Sequence, residues 1–159
     1  MMMRTHRLAG VALALLLVGV ALRQPLTITF LAVAAALLTD TAIDALGHRR
    51  KGNVPTRTWL THTPLTAAAA GALTALAVAL TFRGLTRLPV DPSLIILAGV
   101  LASQAHMALD AVTGGGIYLT RTRRLALAHL RYNNPALNTA IGLASLLSVA
   151  SSLIMVIHT

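Results

Sequence analysis

The chain has 159 residues, of which 56% are hydrophobic and only 11% carry a charge. Soluble domains have about 25% charged residues, so this composition excludes an ordinary soluble fold and indicates a membrane protein. The formal net charge is +9. Basic residues of membrane proteins collect in loops near anionic lipid, so we expect membrane lipid and not nucleic acid as the partner. Cysteine is absent, which excludes disulfides and thiolate metal sites.

Five apolar segments predict an all-α, polytopic membrane helix bundle of about five transmembrane helices, in a single domain that covers 1–159. Each segment is near the roughly 20 residues that cross the hydrocarbon. The first also resembles a signal peptide, since a basic start precedes a short apolar stretch, and we interpret it as the first helix. Proline after Thr63, Asp91 and Asn134 indicates three capped helix starts. The predicted helices cover about 7–22, 25–47, 64–82, 92–114 and 135–158.

The basic residues sort unevenly between the two ends of such a bundle. With five spans, ten of the 13 fall on one side, and only Arg23, Arg83 and Arg87 fall on the other. The positive-inside rule makes the basic side cytoplasmic. The sequence therefore predicts an integral cell membrane protein with a cytoplasmic N-terminus and a C-terminus outside. The ten are Arg4, Arg7, Arg49, Arg50, Lys51, Arg57, Arg121, Arg123, Arg124 and Arg131.

Other features receive structural interpretations. The segment Arg121–Arg131 interleaves basic and apolar residues, which predicts a short helix at the membrane surface. We expect the glycines 114–116 to stop the fourth helix. We also expect His6, His129 and His158, near the termini or in a loop, to be solvated. Small residues recur every four positions on the third helix, which indicates close helix packing. They are Ala67, Gly71, Ala75 and Ala79.

Three of the four acidic residues lie inside apolar segments, where a charge costs roughly 2.5–3.5 kcal/mol on insertion scales. The second helix ends with two acids and a histidine spaced four apart, which puts them on one face. The fourth helix has His106 and Asp110 at the same spacing, and His62 precedes the third helix. All of these positions reach the cytoplasmic end of the bundle. The six candidates are Asp40, Asp44, His48, His62, His106 and Asp110.

Converging imidazole nitrogens and carboxylate oxygens suit a divalent metal ion. We expect Zn²⁺, with Mn²⁺ and Fe²⁺ as alternatives, bound as one ion or as two bridged ions. Asp40 lies one turn deeper and could be a ligand, a bridge or an outer partner. A purely structural interpretation stays open, in which buried acids pair with arginine and His106 bonds to Asp110. The predicted metal ligands are Asp44, His48, His62, His106 and Asp110.

Segments in the middle half of the chain resemble the YdjM-like family of membrane-bound, metal-dependent hydrolases, especially its archaeal branch of unknown function. That family has an acidic segment ending in Asp-His, a His-Arg-x-x-Thr-His-Ser segment, and a span with His-x-x-x-Asp followed by threonine and glycine. The stretch His106–Asp110, followed by Thr113 and Gly115, is similar to the third element. Residues Thr61–Thr63 are similar to the end of the second. The similar segments are Thr39–His48, Arg57–Thr63 and Gly99–Gly116.

The sequence departs from that family at two places. Asp40, Asp44 and His48 stand in for the acidic element but are more widely spaced than its compact motif. Arg57 stands where the second element has its first histidine, so one ligand that the family uses is missing here. The resemblance implies a metal-dependent hydrolase and leaves open whether one ion or two are bound.

We therefore expect a metal-dependent hydrolase at the cytoplasmic membrane face that acts on a phosphorylated lipid or another anionic ester. Asp40 or Asp44 would act as the catalytic base. Arg57 and Arg131 would bind the anionic group of the substrate. The alternatives are a non-enzymatic membrane protein with a structural metal site, or an ion or proton relay. A relay requires polar residues across the membrane, whereas the outer halves of these helices are almost wholly apolar.

Overall fold

A computed structural model describes residues 2–51 and 54–157. Within this part of the chain, five helices are long and apolar enough to cross a membrane, which confirms the predicted all-α membrane bundle. The first helix begins one turn earlier than predicted, and His158 lies outside the described residues. The helices are α1 (Met3–Ala14, continued by a π-helical segment, Leu15–Ala21), α2 (Leu26–Gly47), α3 (Pro64–Thr86), α4 (Pro92–Ala111) and α5 (Pro135–Ile157).

The predicted caps hold three helix starts in place. Thr63 accepts a hydrogen bond from the backbone N–H of Thr66 at the start of α3. Asp91 accepts from the N–H of Ser93 at 2.9 Å in α4, and Asn134 accepts from the N–H of Leu137 at 3.0 Å in α5. Each bond satisfies one of the backbone donors that a helix N-terminus leaves without an intrahelical partner. His62 is thereby fixed directly before a capped helix.

Helices α3 and α4 pack closely because both present glycine at their crossing. The buried residues of α3 are Ala67, Gly71, Ala75 and Ala79, which confirms the predicted stripe. A Cβ atom on Gly71 would overlap the backbone carbonyl of Gly99 on α4, and one on Gly99 would overlap Gly71. Small residues at such crossings let helix backbones approach in a membrane. α4 also packs against α1 and α2, and α5 packs against α1, so α4 lies centrally.

The loops at the basic end form two short hairpins. Strand β1 (His48–Lys51) pairs antiparallel with β2 (Val54–Arg57), and His48 lies opposite Arg57. Strand β3 (Ile117–Tyr118) pairs antiparallel with β4 (Arg124–Leu125). The first hairpin joins α2 to the segment that carries His62. The second follows α4 and returns the chain over the end of that helix.

The predicted surface helix over Arg121–Arg131 is wrong, since this segment contains β4 and irregular backbone. The backbone N–H of Leu127 donates to Ala111 O at 2.7 Å, and that of Leu130 donates to Val112 O at 3.2 Å. These bonds satisfy carbonyl groups that the C-terminus of a helix leaves open. The segment therefore caps α4, which ends at Ala111 and not at the glycines 114–116.

Candidate metal centre

Histidine and aspartate side chains from three parts of the chain meet at the basic end of the bundle. α2 contributes Asp40 and Asp44, the segment before α3 contributes His62, and α4 contributes His106 and Asp110. The predicted convergence of the two helices with His62 is confirmed: the ring centroids of His62 and His106 are 5.7 Å apart. Asp40, His62, His106 and Asp110 are all at most 4% exposed.

His6 also belongs to this cluster, so the prediction that it is solvated is wrong. It is 4% exposed, and its ring centroid lies 4.0 Å from that of His106. α1 starts early enough to include it, and the hydroxyl of Thr5 donates to Asn138 Oδ1 on α5 at 2.8 Å. One turn further along α1, Gly10 faces α4. A Cβ atom added to Gly10 would lie 3.6 Å from the Cβ atom of Ala102, which is van der Waals contact. A glycine one helical turn after the histidine is the sequence signal for this buried face.

The hydrogen bonds of His106 determine which of its ring nitrogens is available. His106 Nδ1 lies 2.6 Å from Asp40 Oδ1. Because a carboxylate only accepts, the imidazole donates here through its Nδ1–H. In the neutral ring, Nε2 then carries the lone pair, and it points toward Asp110 Oδ2 at 3.4 Å. This carboxylate–histidine arrangement is the one that orients histidine ligands in metal sites.

A pair of hydrogen bonds through Thr61 sets the same tautomer in His62. The Thr61 hydroxyl donates to the carbonyl of Ile43 at 3.0 Å, so its oxygen accepts from His62 Nδ1, 3.1 Å away. Burial lowers the pKa of His62 to about 3, so the ring is neutral at physiological pH and its Nε2 lone pair is free of a proton. Gly47 makes room for this packing, since a Cβ there would overlap Thr61 and His62.

Three histidine nitrogens surround the Asp110 carboxylate. His6 Nε2 lies 3.3 Å from Oδ1, and the Nε2 atoms of His106 and His62 lie 3.4 and 3.6 Å from Oδ2. These separations exceed the roughly 2.7–3.2 Å of an N–H···O hydrogen bond. Two ligands about 2.0–2.2 Å from one tetrahedral zinc ion, however, lie roughly 3.3–3.6 Å apart. The distances from Asp110 Oδ2 to the Nε2 atoms of His106 and His62 therefore match those between ligands around one metal ion, whereas His6 faces the other carboxylate oxygen.

The same nitrogens lack conventional partners. The Nε2 atoms of His6, His62 and His106 are buried and make no hydrogen bond to any described residue. Buried polar atoms normally have a partner, and each exception needs an explanation such as an ion or a water molecule. A lone pair that faces a carboxylate oxygen is repelled by it unless a proton or a metal cation lies between them. The chemistry of the donor set therefore fits a divalent cation.

The charges of the cluster also favour a bound divalent cation. Asp40, Asp44 and Asp110 are partly or fully buried, whereas two arginines lie beside them. Arg57 Nη2 donates to Asp110 Oδ1 at 2.5 Å, and Arg7 Nε is 3.9 Å from Asp40 Oδ2 with 40% of its side chain exposed. The two arginines thus offset only part of the negative charge of these three carboxylates. A divalent cation would lower the cost of burying the remainder.

Arg57, predicted to bind substrate, lies at the cluster and is held by several acceptors. Besides Asp110, its Nη1 donates to Thr113 Oγ1 and to Gly116 O, both at 3.1 Å. Gly115 makes room for it, because a Cβ there would overlap the guanidinium. Arg57 therefore orients Asp110 directly. Arg131 is exposed, and its side chain makes no hydrogen bond or ion pair with the described residues.

Asp44 and His48 form the outer edge of the cluster. His48 Nδ1 donates to the backbone carbonyl of Asp44 at 3.0 Å, and it lies 3.3 Å from Asp44 Oδ1. Asp44 Oδ1 is in turn 3.8 Å from His106 Nε2, and its side chain is 14% exposed. This carboxylate is therefore close to the buried histidines and is also accessible to solvent. Asp44 lies where the buried centre opens.

Three overlapping groups of these residues could hold a metal ion. The group of His62, His106 and Asp110 is entirely buried, and it shares His106 with a second group that contains His6 and Asp40. The remaining group is Asp44, His48 and His62. All five predicted metal ligands thus belong to at least one group. The sharing of His62 and His106 makes the buried trio the centre of the arrangement.

The fold and this cluster define a protein of five membrane-compatible helices with a buried histidine–carboxylate centre that could hold a metal ion. The chain belongs to the DUF1286 family, whose model is described as "Protein of unknown function (DUF1286)" and matches residues 1–109. The match covers His6 through His106 and ends directly before Asp110. No match is found among curated proteins or among solved structures.

Proposed function

We propose that this protein is a metal-dependent hydrolase whose centre opens at the cytoplasmic face of the membrane and acts on a phosphorylated lipid or another anionic ester. The observation that supports it most is the buried group of His62, His106 and Asp110, in which both Nε2 atoms lie at metal-ligand spacing from Asp110 Oδ2 and have no hydrogen-bond partner among the described residues. The resemblance of His106–Asp110 and its flanking residues to the YdjM-like family points to the same chemistry.

His62, His106 and Asp110 would hold the ion, which we expect to be Zn²⁺. His6 lies beside them, 3.3 Å from Asp110 Oδ1, and belongs to a second possible group with Asp40 and His106. A divalent ion in such a centre supplies Lewis acidity and lowers the pKa of water toward neutrality. Asp40 and Thr61 keep the Nδ1 atoms of the two histidines protonated, which leaves both Nε2 atoms as ligands. Arg57 fixes the Asp110 carboxylate through its Oδ1 atom, whereas His62 and His106 face Oδ2.

Asp44 is the residue best placed to act as a general base. Its carboxylate is near His106 Nε2 and is partly exposed, so it can accept a proton from water in the site and release it to solvent. Asp40, the other predicted base, accepts from His106 Nδ1 at 2.6 Å and is buried. We therefore assign Asp40 to positioning and Asp44 to proton transfer.

A structural metal site is the second candidate, because the buried trio is at most 2% exposed and joins α4 to the segment before α3. The two candidates differ in the effect of Asp44→Asn. A hydrolase should retain its metal in this variant and lose about 10²–10⁴-fold in turnover, the usual contribution of a general base. Metal content and release of product from phosphorylated lipids measure both quantities on one preparation. A purified protein that binds metal but shows no chelator-sensitive turnover of any such ester would support the structural role instead.

The orientation in the membrane is a further part of this proposal. The uneven distribution of basic residues supports a cytoplasmic location for the end with the cluster. Since the chain has no cysteine, single cysteines at Thr122 and Leu88 can be labelled in intact cells with an impermeant maleimide. We expect labelling at residue 88 and none at residue 122 until the membrane is opened. The reverse pattern would contradict the orientation and would put the site outside.

A further inference from the structure

A second pocket lies next to the proposed metal centre and shares Arg57 with it. It has a volume of about 420 Å³ and lies between the segment before α3 and the β3–β4 hairpin. The hairpin is fastened there, since the Tyr118 N–H donates to His62 O at 2.8 Å and its hydroxyl donates to Arg57 O at 3.2 Å. The lining residues are Arg57, Thr58, Trp59, Leu60, Tyr118 and Arg121.

The polar groups of this pocket are suited to an anion. Thr58 is fixed by its backbone N–H, which donates to Gly47 O at 2.7 Å, yet its hydroxyl is buried without a partner among the described residues. The Arg121 guanidinium lies 5.6 Å from the ring centre of Trp59 and makes no hydrogen bond to the described residues. A hydroxyl and a guanidinium at one pocket supply the donors that phosphate oxygens accept.

The surroundings of this pocket resemble those found at the level of lipid headgroups. Trp59 and Leu60 are 39% and 51% exposed beside the arginines, and Arg124 lies 4.5 Å from the ring centre of Tyr118. Aromatic rings next to basic residues are typical of the membrane–water interface, where basic groups attract anionic lipid. The pocket is also much larger than a single anion, which leaves room for the rest of a headgroup.

We propose that this pocket binds the phosphate group of a phosphomonoester or phosphodiester, through Arg121 and the Thr58 hydroxyl, and so presents the substrate to the metal centre. The proposal rests on the proposed function, whose substrate class it narrows to phosphoesters. Arg57 connects the two sites, because it lines the pocket and also donates to Asp110. Arg121 takes the role of anion binding that the sequence assigned to Arg131.

Trp59 is the only tryptophan of the chain, so its fluorescence reports on this pocket. The purified protein in a non-ionic detergent is titrated with dioctanoyl phosphatidic acid, with dioctanoylglycerol, which lacks the phosphate, and with inorganic phosphate. We expect a saturable change with phosphatidic acid and none with dioctanoylglycerol. Saturation by inorganic phosphate in the same concentration range would indicate a soluble phosphoester, and its absence would indicate a lipid headgroup.

The midpoint of the phosphatidic acid titration should rise about tenfold in Arg121→Gln and in Thr58→Val, because each removes one donor to a charged group. Arg123→Gln is the matched control: it removes an exposed charge from the same hairpin loop and should shift the midpoint less than twofold. Equal responses to phosphatidic acid and dioctanoylglycerol, or equal shifts in Arg121→Gln and Arg123→Gln, would overturn the proposal.

The proposed metal centre and the proposed phosphate pocket can be disproved independently of each other. A His106→Asn protein should still bind phosphatidic acid, since His106 does not line the pocket. An Arg121→Gln protein should keep its metal. A parent protein that binds phosphatidic acid but holds no metal would contradict the proposed function alone. A parent protein that binds metal but shows no fluorescence response of Trp59 to phosphatidic acid would contradict the pocket alone.

Discussion

Replacing Asp110 by asparagine should remove the metal and leave the helix bundle assembled. The carboxylate of Asp110 is the group that the Nε2 atoms of His6, His62 and His106 face, so it contributes the negative charge around which the site is arranged. Asparagine keeps the size and one acceptor oxygen but not the charge. We expect metal affinity to fall more than the roughly 10–100-fold caused by changing an outer partner, and turnover to fall with it. Metal stoichiometry and turnover on one preparation measure both.

Arg57 determines how stable this variant is. Its guanidinium loses an ionic partner in a largely buried site, which destabilises a fold, but it keeps Thr113 and Gly116 as acceptors. We therefore expect a measurable loss of stability in a protein that still folds. The double variant Asp110→Asn/Arg57→Gln removes both charges. It should recover thermal stability without recovering metal, which separates the role of the ion pair from that of the ligand. A folded Asp110→Asn protein with full metal and full turnover would exclude Asp110 from the site.

Replacing His106 by asparagine should have a comparably large effect. Asparagine places an amide nitrogen near the position of Nδ1, so Asp40 keeps a donor, but it has no group in place of Nε2. The variant therefore removes one ligand and preserves the bond that holds Asp40 at 2.6 Å. We expect metal content and turnover to fall together, with membrane yield close to that of the parent. Elemental analysis and turnover on the same preparation test this.

His129 offers a matched control for that substitution. It is exposed and has a φ of 52°, a left-handed conformation that asparagine adopts more easily than most residues. His129→Asn should therefore preserve both metal and turnover. If His129→Asn lowered metal content as much as His106→Asn, the metal would be bound nonspecifically by histidines and the buried centre would lose its support.

Much of the bundle and part of the centre could be predicted because helix periodicity is a local property. The four-residue spacing of His106 and Asp110, and of Asp40 and Asp44, placed each pair on one helix face. Successive helices alternate in direction, so α2 and α4 end, and α3 begins, on the same side of the bundle. The two faces and His62 therefore come together there. The cluster confirms this convergence. Caps such as Thr63 and Asp91 were also predictable, because they act on backbone groups only two or three residues away.

The missed features depend on contacts that are distant in sequence. His6 lies between arginines near the terminus, and the hydrogen bond from its neighbour Thr5 to Asn138 holds this part of α1 against α5. The segment Arg121–Arg131 has a pattern that suits a surface helix, but the open carbonyls at the end of α4 bind its backbone instead. Arg57 was expected at the site, yet its pairing with Asp110 follows from the position of the β1–β2 hairpin.

X-ray absorption spectroscopy on the purified protein, loaded in turn with Zn²⁺, Mn²⁺ and Fe²⁺, tests the metal centre most directly. We predict at least one tightly bound ion per chain, with only nitrogen and oxygen ligands at about 2.0–2.2 Å for zinc and the outer-shell scattering of two or more imidazoles. The His106→Asn protein should lose one imidazole or the ion itself. A parent protein that retains no ion after dialysis, or whose bound ion shows no imidazole ligand, would contradict a metal centre built on these histidines.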